Sequence, residues 1–241
     1  MTPQPEIEMS NPTPEPSLPS SKSSHTRLWL EVAVVLAVGV LPDLVNAAAS
    51  TLDWGVAPRE FWIDALALIQ RSATVCAVAL FLMWSSGDGW RRFGFVRWNW
   101  KADLPVVVVL FLAAMIASSY AYVAAAELFP PPEIAGWYFD RPSSKAEVLL
   151  LVAMSAANGF SEELVIWGFL FTRLSQLTGR SGLMVPVCAA IFASYHLYQG
   201  PAAMVSIFVI GLVYGVCFWR LRRLWPLVFV HAVWDVVAYL T

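Results

Sequence analysis

The chain has 241 residues, 59% hydrophobic and only 13% charged, with a mean hydropathy of +0.64. Soluble domains run nearer about 45–50% apolar and about 25% charged, so the composition argues against a soluble domain and for a membrane protein built from helices. With a formal net charge of −2, nothing in it resembles a basic nucleic-acid surface. Cys76, Cys188 and Cys217 all lie within apolar runs, which reads as small buried hydrophobes and not as a disulfide framework.

Residues 1–26 are rich in Pro, Ser and Thr and poor in large apolar side chains. Such a segment buries too little surface to offset its ordering entropy, so a disordered tail is expected. It lacks the basic start, apolar core and cleavage site of a secretory signal. The multi-pass domain then occupies 27–241. A bilayer core takes roughly 20 apolar residues of helix, and candidate spans fall at about 28–48, 61–84, 104–127, 146–174, 183–199, 203–220 and 225–240. The expected fold is therefore all-α and polytopic, with about seven transmembrane helices. The fourth span is long, and Asn158-Gly159 is the expected place for a bend. The fifth is short, with Pro186 near its start.

The loops carry a charge bias. Lys22 and Arg27 precede the first span; Arg91, Arg92, Arg97 and Lys101 lie between the second and third; Arg173 and Arg180 follow the fourth; Arg220, Arg222 and Arg223 follow the sixth. The alternate loops carry few or balanced charges. Positive residues favour the cytoplasmic side, so the N-terminus is expected there. Trp29, Trp62, Trp84, Trp90, Trp98, Trp100, Trp219 and Trp225 fall near span ends, as an interfacial aromatic belt would have them.

A charge at mid-bilayer costs about 2.5–3.5 kcal/mol on insertion scales, so it usually faces a partner or a wet cavity. The deep candidates are Asp64, Arg71, Glu162, Glu163, His196, His231 and Asp235. Glu31 is expected to snorkel at the inner end of the first span and Asp43 to sit at its outer interface. His231 and Asp235 are four apart and share a helix face, as do Asn158 and Glu162. Glu162 and Glu163 diverge by about 100° around their helix, so they suit different jobs: one aimed into a cavity, the other bracing a neighbouring helix. Peptide hydrolysis needs a base for water, an acid for the leaving amine and donors for the oxyanion. Carboxylates with two histidines and a further polar side chain supply all three. Taken alone, His196 reads better as a histidine hydrogen-bonded between helices, Asp235 as a brace for His231, and Gly211-x-x-x-Gly215 as a close-packing stripe.

Three motifs change that balance. "EELVIWG" (162–168), "FASYH" (192–196) and "HAVWD" (231–235) resemble, in order and on separate spans, E-E-x-x-x-R, F-x-x-x-H and H-x-x-x-N/D. These are the motifs of the CPBP family of CAAX-protease and bacteriocin-processing intramembrane endopeptidases, and the similarity covers about residues 146–240. The resemblance implies a catalytic set of Glu162, Glu163, His196, His231 and Asp235. Glu162 would be the base that activates water, with His196; His231 and Asp235 would bind the oxyanion or orient the water; Glu163 would be the supporting acid and Phe192 a packing residue. It implies a membrane-associated peptide or protein substrate, prenylated C-a-a-X tails being one family option, and a multi-pass protein of a bacterial inner membrane. No cofactor is expected, with zinc the alternative: two histidines and carboxylates could ligate it, yet H-E-x-x-H is absent and metal-free glutamate-based hydrolysis is preferred.

One position departs from the pattern. Trp167 stands where the first motif has Arg, so Glu163 needs another cation or a proton. Arg71 is a candidate partner for Glu163, and its pairing with Asp64 on the same helix is the plainer option. The departure keeps a catalytically inactive adaptor of the same fold in view. A proton-coupled transporter is the other alternative, since acid–histidine sets also relay protons.

Overall fold

The structure, a computed structural model, describes residues 25–51, 60–129 and 141–240. The tail expected over 1–26 lies outside the described residues except for its last two, which already belong to the first helix. In chain order, α1 (His25–Val35) passes through a π-helical stretch (Leu36–Val40) into α2 (Leu41–Thr51), followed by α3 (Phe61–Ser85) and α4 (Trp100–Ala126). Next, α5 (Lys145–Glu163) runs through a second π stretch (Leu164–Phe171) into α6 (Thr172–Thr178), and α7 (Ser181–Ser194), α8 (Pro201–Leu221) and α9 (Trp225–Leu240) complete the bundle. Five helical runs, at 25–50, 61–85, 100–126, 145–178 and 201–221, are long and apolar enough to cross a membrane, and α7 and α9 are shorter apolar helices. The expected all-helical, polytopic fold is thus found, with no strand among the described residues.

Local chemistry sets the boundaries. At the start of α5 the Ser144 hydroxyl accepts from the Glu147 amide and the Glu147 carboxylate accepts from the Ser144 amide, a reciprocal cap that satisfies two orphan donors. The Asn99 side chain accepts from the Lys101 amide at the start of α4. Pro201 opens α8 directly after Gly200, whose φ of 88° is open to glycine at little cost.

The α5–α6 run is the pillar of the bundle. Half of its apolar stretch is buried, against 22% for α4, and every side chain from Leu164 to Phe171 is enclosed. It packs between α3 and α9, while α4 packs on α8 and α9, and α7 on α8. By contrast α4 turns Leu104, Val108, Val109, Leu112 and Ile116 outward, an apolar surface suited to lipid. Trp29, Trp62, Trp84, Trp90 and Trp100 are exposed at helix ends, in keeping with an aromatic belt. Cys76 and Cys188 are buried and Cys217 half-buried, all as free thiols.

Three expectations are corrected. The fourth span does not bend at Asn158-Gly159, which stays α-helical; its irregularity is the π stretch beginning just after Glu163. Gly159 instead lets α9 come close, since a Cβ there would lie 3.0 Å from the Ala232 amide nitrogen and 3.3 Å from the Val228 carbonyl. The fifth span ends as a helix at Ser194 and turns at Tyr195 and His196, short of the expected boundary at 199. Glu31 does not snorkel: it is 4% exposed, with Arg27 Nε 2.9 Å and Arg173 Nε 2.8 Å from its oxygens.

Arg173 is fully buried and is also 2.6 Å from Asp88, with its guanidinium 4.9 Å from the Phe93 ring centre. This knot ties α1, the loop after α3 and α6 together at one end of the bundle. Burial would raise the Asp88 carboxyl, but hydrogen bonds from Arg173 and Gln176 and the charges of Arg92 and Arg173 outweigh it and hold the group below its ordinary range. At the same end Arg223 donates to buried Asp103 (2.6 Å) and to the Arg97 carbonyl (2.9 Å), while the Leu224 amide donates to the Gly94 carbonyl (2.9 Å).

Candidate active site

Glu162 and Glu163 close α5, and the helix aims them apart. Glu163 is completely buried and turned toward α9, where its Oε1 lies 2.7 Å from His231 Nδ1. Glu162 is partly accessible, and its Oε2 accepts from the Tyr195 hydroxyl (3.1 Å) while lying 4.0 Å from His231 Nε2. His231 therefore stands between the two glutamates, and it reaches them because Gly159 carries no side chain to hold α9 away from α5.

Asp235 sits one turn beyond His231, with its Oδ1 3.5 Å from Nε2. Its other oxygen accepts from Asn158 Nδ2 (3.0 Å), so α5 grips both polar positions of α9. The expected face-sharing of His231 with Asp235 thus becomes a working row of contacts.

His196 lies beyond the end of α7. Its Nδ1 is 2.8 Å from the Phe192 carbonyl, and its ring lies 4.7 Å from that of Tyr195 and 5.1 Å from that of Phe192. Phe192 in turn stands edge-on to His231, with ring centres 6.1 Å apart. No hydrogen bond among the described residues joins His196 to Glu162; the neighbouring Tyr195 makes that contact. The three motif segments therefore meet around one place, with the aromatic residue before the histidine as the direct link to the glutamate.

A small cleft opens beside Glu162. It is lined by Gly39, Val40, Asp43, Arg71, Val75, Ser161, Glu162, Val165, Ile166 and Tyr195, with room for about one water molecule. Both π stretches contribute to this wall, as such irregular helical segments often do at functional sites. Arg71 forms an ion pair with Asp43, and its Nη2 donates to the Gly39 carbonyl (3.0 Å). Its expected pairing with Glu163 or Asp64 is not what the structure has, and Asp43 faces this cleft and not an outer interface. Glu163 takes His231 as its partner instead.

Trp167, in place of the motif's arginine, is fully buried and lays its ring against Gly215. A Cβ at Gly215 would fall 2.5 Å from Trp167 Cζ3, and one at Gly211 would fall 3.0 Å from Ala189, so the glycine stripe is a packing device as expected. The second oxygen of Glu163 and the Trp167 indole nitrogen have no hydrogen-bond partner among the described residues.

Among the described residues no group of three His, Cys, Asp or Glu donors is placed to hold a metal ion. The Nδ1 atoms of His231 and His196 are held by Glu163 and by the Phe192 carbonyl, which leaves Nε2 of each imidazole as the nitrogen open to a ligand.

Sequence reasoning missed Tyr195, the place of Asp43 and the grip of Asn158 on Asp235. Tyr195 had one signal, its position directly before the motif histidine; the other two depend on which helices are neighbours.

Residues 144–237 match the family model described as type II CAAX prenyl endopeptidase Rce1-like. No curated protein and no solved structure matches the chain. The matched segment spans α5 through most of α9 and includes all five motif side chains. Over residues 144–237 the chain is thus similar to the Rce1-like CAAX endopeptidases, in line with the CPBP resemblance carried by its three motifs.

Proposed function

We propose that the protein hydrolyses a peptide bond in a membrane-associated protein or peptide, using water activated by Glu162 without a metal. The observation that carries this reading is the placement of Glu162: one carboxylate oxygen held by Tyr195 and 4.0 Å from His231 Nε2, beside a water-sized cleft. In this reading Glu162 takes a proton from the water as its oxygen adds to the scissile carbonyl. The proton then passes to the amine as the C–N bond breaks, so that water and peptide give acid and amine. General acid–base assistance of this kind contributes about 10²–10⁴-fold.

The surrounding groups have supporting parts. Tyr195 holds Glu162 Oε2, leaving Oε1 for water. Glu163 accepts from His231 Nδ1, which fixes the imidazole with Nε2 toward Glu162 and Asp235. Asn158 holds Asp235 in turn. His196, anchored through Nδ1, keeps Nε2 for the water or the substrate carbonyl. A C-a-a-X protein tail is the substrate class the family description favours. Entry from the cytoplasmic face follows if the end carrying Arg91, Arg92, Arg173 and Arg223 is cytoplasmic, as positive residues favour. Trp167 is the one feature favouring an inactive adaptor; the His231 contact already gives Glu163 a partner without the missing arginine.

Substrate trapping tests the reading. Glu162→Gln expressed in native membranes should accumulate uncleaved protein that wild type processes, and exhaustive chelation should leave wild-type cleavage intact. Equal processing by wild type and Glu162→Gln would remove the peptidase assignment. Loss of cleavage on chelation, restored by zinc alone, would overturn the metal-free mechanism.

A further inference from the structure

We infer that Arg71, braced by Asp43, is a further catalytic residue, donating to the oxyanion that forms when Glu162-activated water adds to the substrate carbonyl. The inference rests on the peptidase reading and extends it to helices outside the matched segment.

The argument starts from the cleft. Arg71 is the one cation among the residues that line it, and it shares that wall with Glu162 and Tyr195. His196, His231 and Asp235 do not line it. A carbonyl approached by water from the cleft therefore meets Arg71 first. The guanidinium is also positioned in advance. Its ion pair with Asp43 and its bond to the Gly39 carbonyl meet at Nη2, and no hydrogen bond from Nε or Nη1 is found among the described residues. A planar fork with one corner anchored leaves the remaining N–H groups fixed in direction, at little entropic cost when an acceptor arrives.

Charge movement favours this place. Asp43 balances Arg71 in the resting site, so the cation does not lock onto Glu162. As Glu162 takes the proton its own charge disappears and a negative charge grows on the carbonyl oxygen brought up to the edge of the cleft. The attraction to Arg71 is then stronger in the transition state than before it, which is the condition for raising kcat. The approach at Gly39 is close: a Cβ there would come 3.2 Å from Val75 Cγ1, so a larger residue would need the Val75 side chain to give way where the Gly39 carbonyl meets Arg71.

Purified protein in lipid nanodiscs, with a membrane-tethered reporter peptide, provides the test. The double variant Arg71→Ala/Asp43→Ala removes the pair without leaving an unpaired charge, and Arg71→Lys keeps the charge while losing the fork. Loss of one oxyanion donor is worth about 10²–10³-fold in kcat. We expect kcat to fall by about that factor in the double variant with KM within about twofold, and guanidinium ion at sub-denaturing concentration to restore about tenfold or more of it. Arg71→Lys should fall between the double variant and wild type. A rise in KM at constant kcat, unchanged kinetics, or a folded double variant that guanidinium does not rescue would overturn the role of Arg71 while leaving the peptidase reading in place. If the double variant does not fold, Arg71→Lys with wild-type kcat has the same consequence. A wild-type protein that leaves peptides uncut would fail the peptidase reading and this inference with it.

Discussion

Two clusters of charge lie inside the bundle, and they differ in how they are paired. At the end where α1 begins, buried Arg173 faces Glu31 and Asp88, with Arg27 and Arg92 as further cations. Around the motif residues the balance is reversed: Glu162, Glu163 and Asp235 all converge on one histidine, with contacts of 4.0, 2.7 and 3.5 Å. The first cluster is held together by opposite charges on different helices, an arrangement that fixes packing and leaves no group to react. The second has more acceptors than cations and opens on a cleft. A carboxylate there keeps an oxygen available for water.

The comparison breaks most sharply at Arg173. Arg173→Ala would remove the buried partner that Glu31 and Asp88 share, leaving them only the more exposed Arg27 and Arg92, and breaking a buried pair costs about 3–5 kcal/mol. Thermal melting in detergent should show a large loss of stability, with cleavage lost only together with the fold. Next in size is Tyr195→Phe, which removes the hydroxyl from Glu162 and leaves its ring contacts. A hydrogen bond to a charged group is worth about 1.5–3 kcal/mol, or roughly 10–100-fold in rate. Steady-state kinetics should show that loss at an unchanged melting temperature, and a variant as active as wild type would remove Tyr195 from the account.

Gly215→Ala comes third. Its Cβ would press on the buried Trp167 ring and lie 2.9 Å from Val185, and overpacking of this kind costs about 1–3 kcal/mol. Trp167→Phe, which shortens the ring, should recover part of the loss in the double variant. The smallest effect is acid sensitivity at Asp88. Its folded carboxyl sits below its unfolded value, so its stabilisation is complete above the unfolded value near about pH 4 and is lost as pH falls through the folded one. Asp88→Asn should flatten melting temperature against pH below about 4, and an unchanged slope would contradict the assignment.

How far each region was legible in the sequence follows the same division. Apolar length and loop charge disclose helices one at a time, and the order of α3 to α9 emerges from them with little error. The motif residues were legible because their spacing along each helix sets their faces: His231 and Asp235 do share one, and the two glutamates do diverge. What periodicity omits is adjacency. Asp43 and Arg71 are on different helices, as are Glu31 and Arg173, so Asp43 and Glu31 were read as interfacial, Arg173 as a loop charge, and Arg71 as a partner for Glu163 or Asp64. The π stretch after Glu163 was also invisible, because Leu164–Phe171 is apolar throughout and has no face to betray its phase. Tyr195 was passed over for a related reason: it lies past the last turn of α7, where helical spacing ceases to say which way a side chain points.

The central claim is that Glu162 activates water at a site the fold does not need for stability. The most direct measurement is cleavage of a membrane-tethered peptide by purified wild type and Glu162→Gln in the same nanodiscs, with melting temperature recorded for both. The account predicts a loss of about 10²-fold or more in kcat for the variant at an unchanged melting temperature. Cleavage by Glu162→Gln at the wild-type rate, with the protein equally folded, would contradict it.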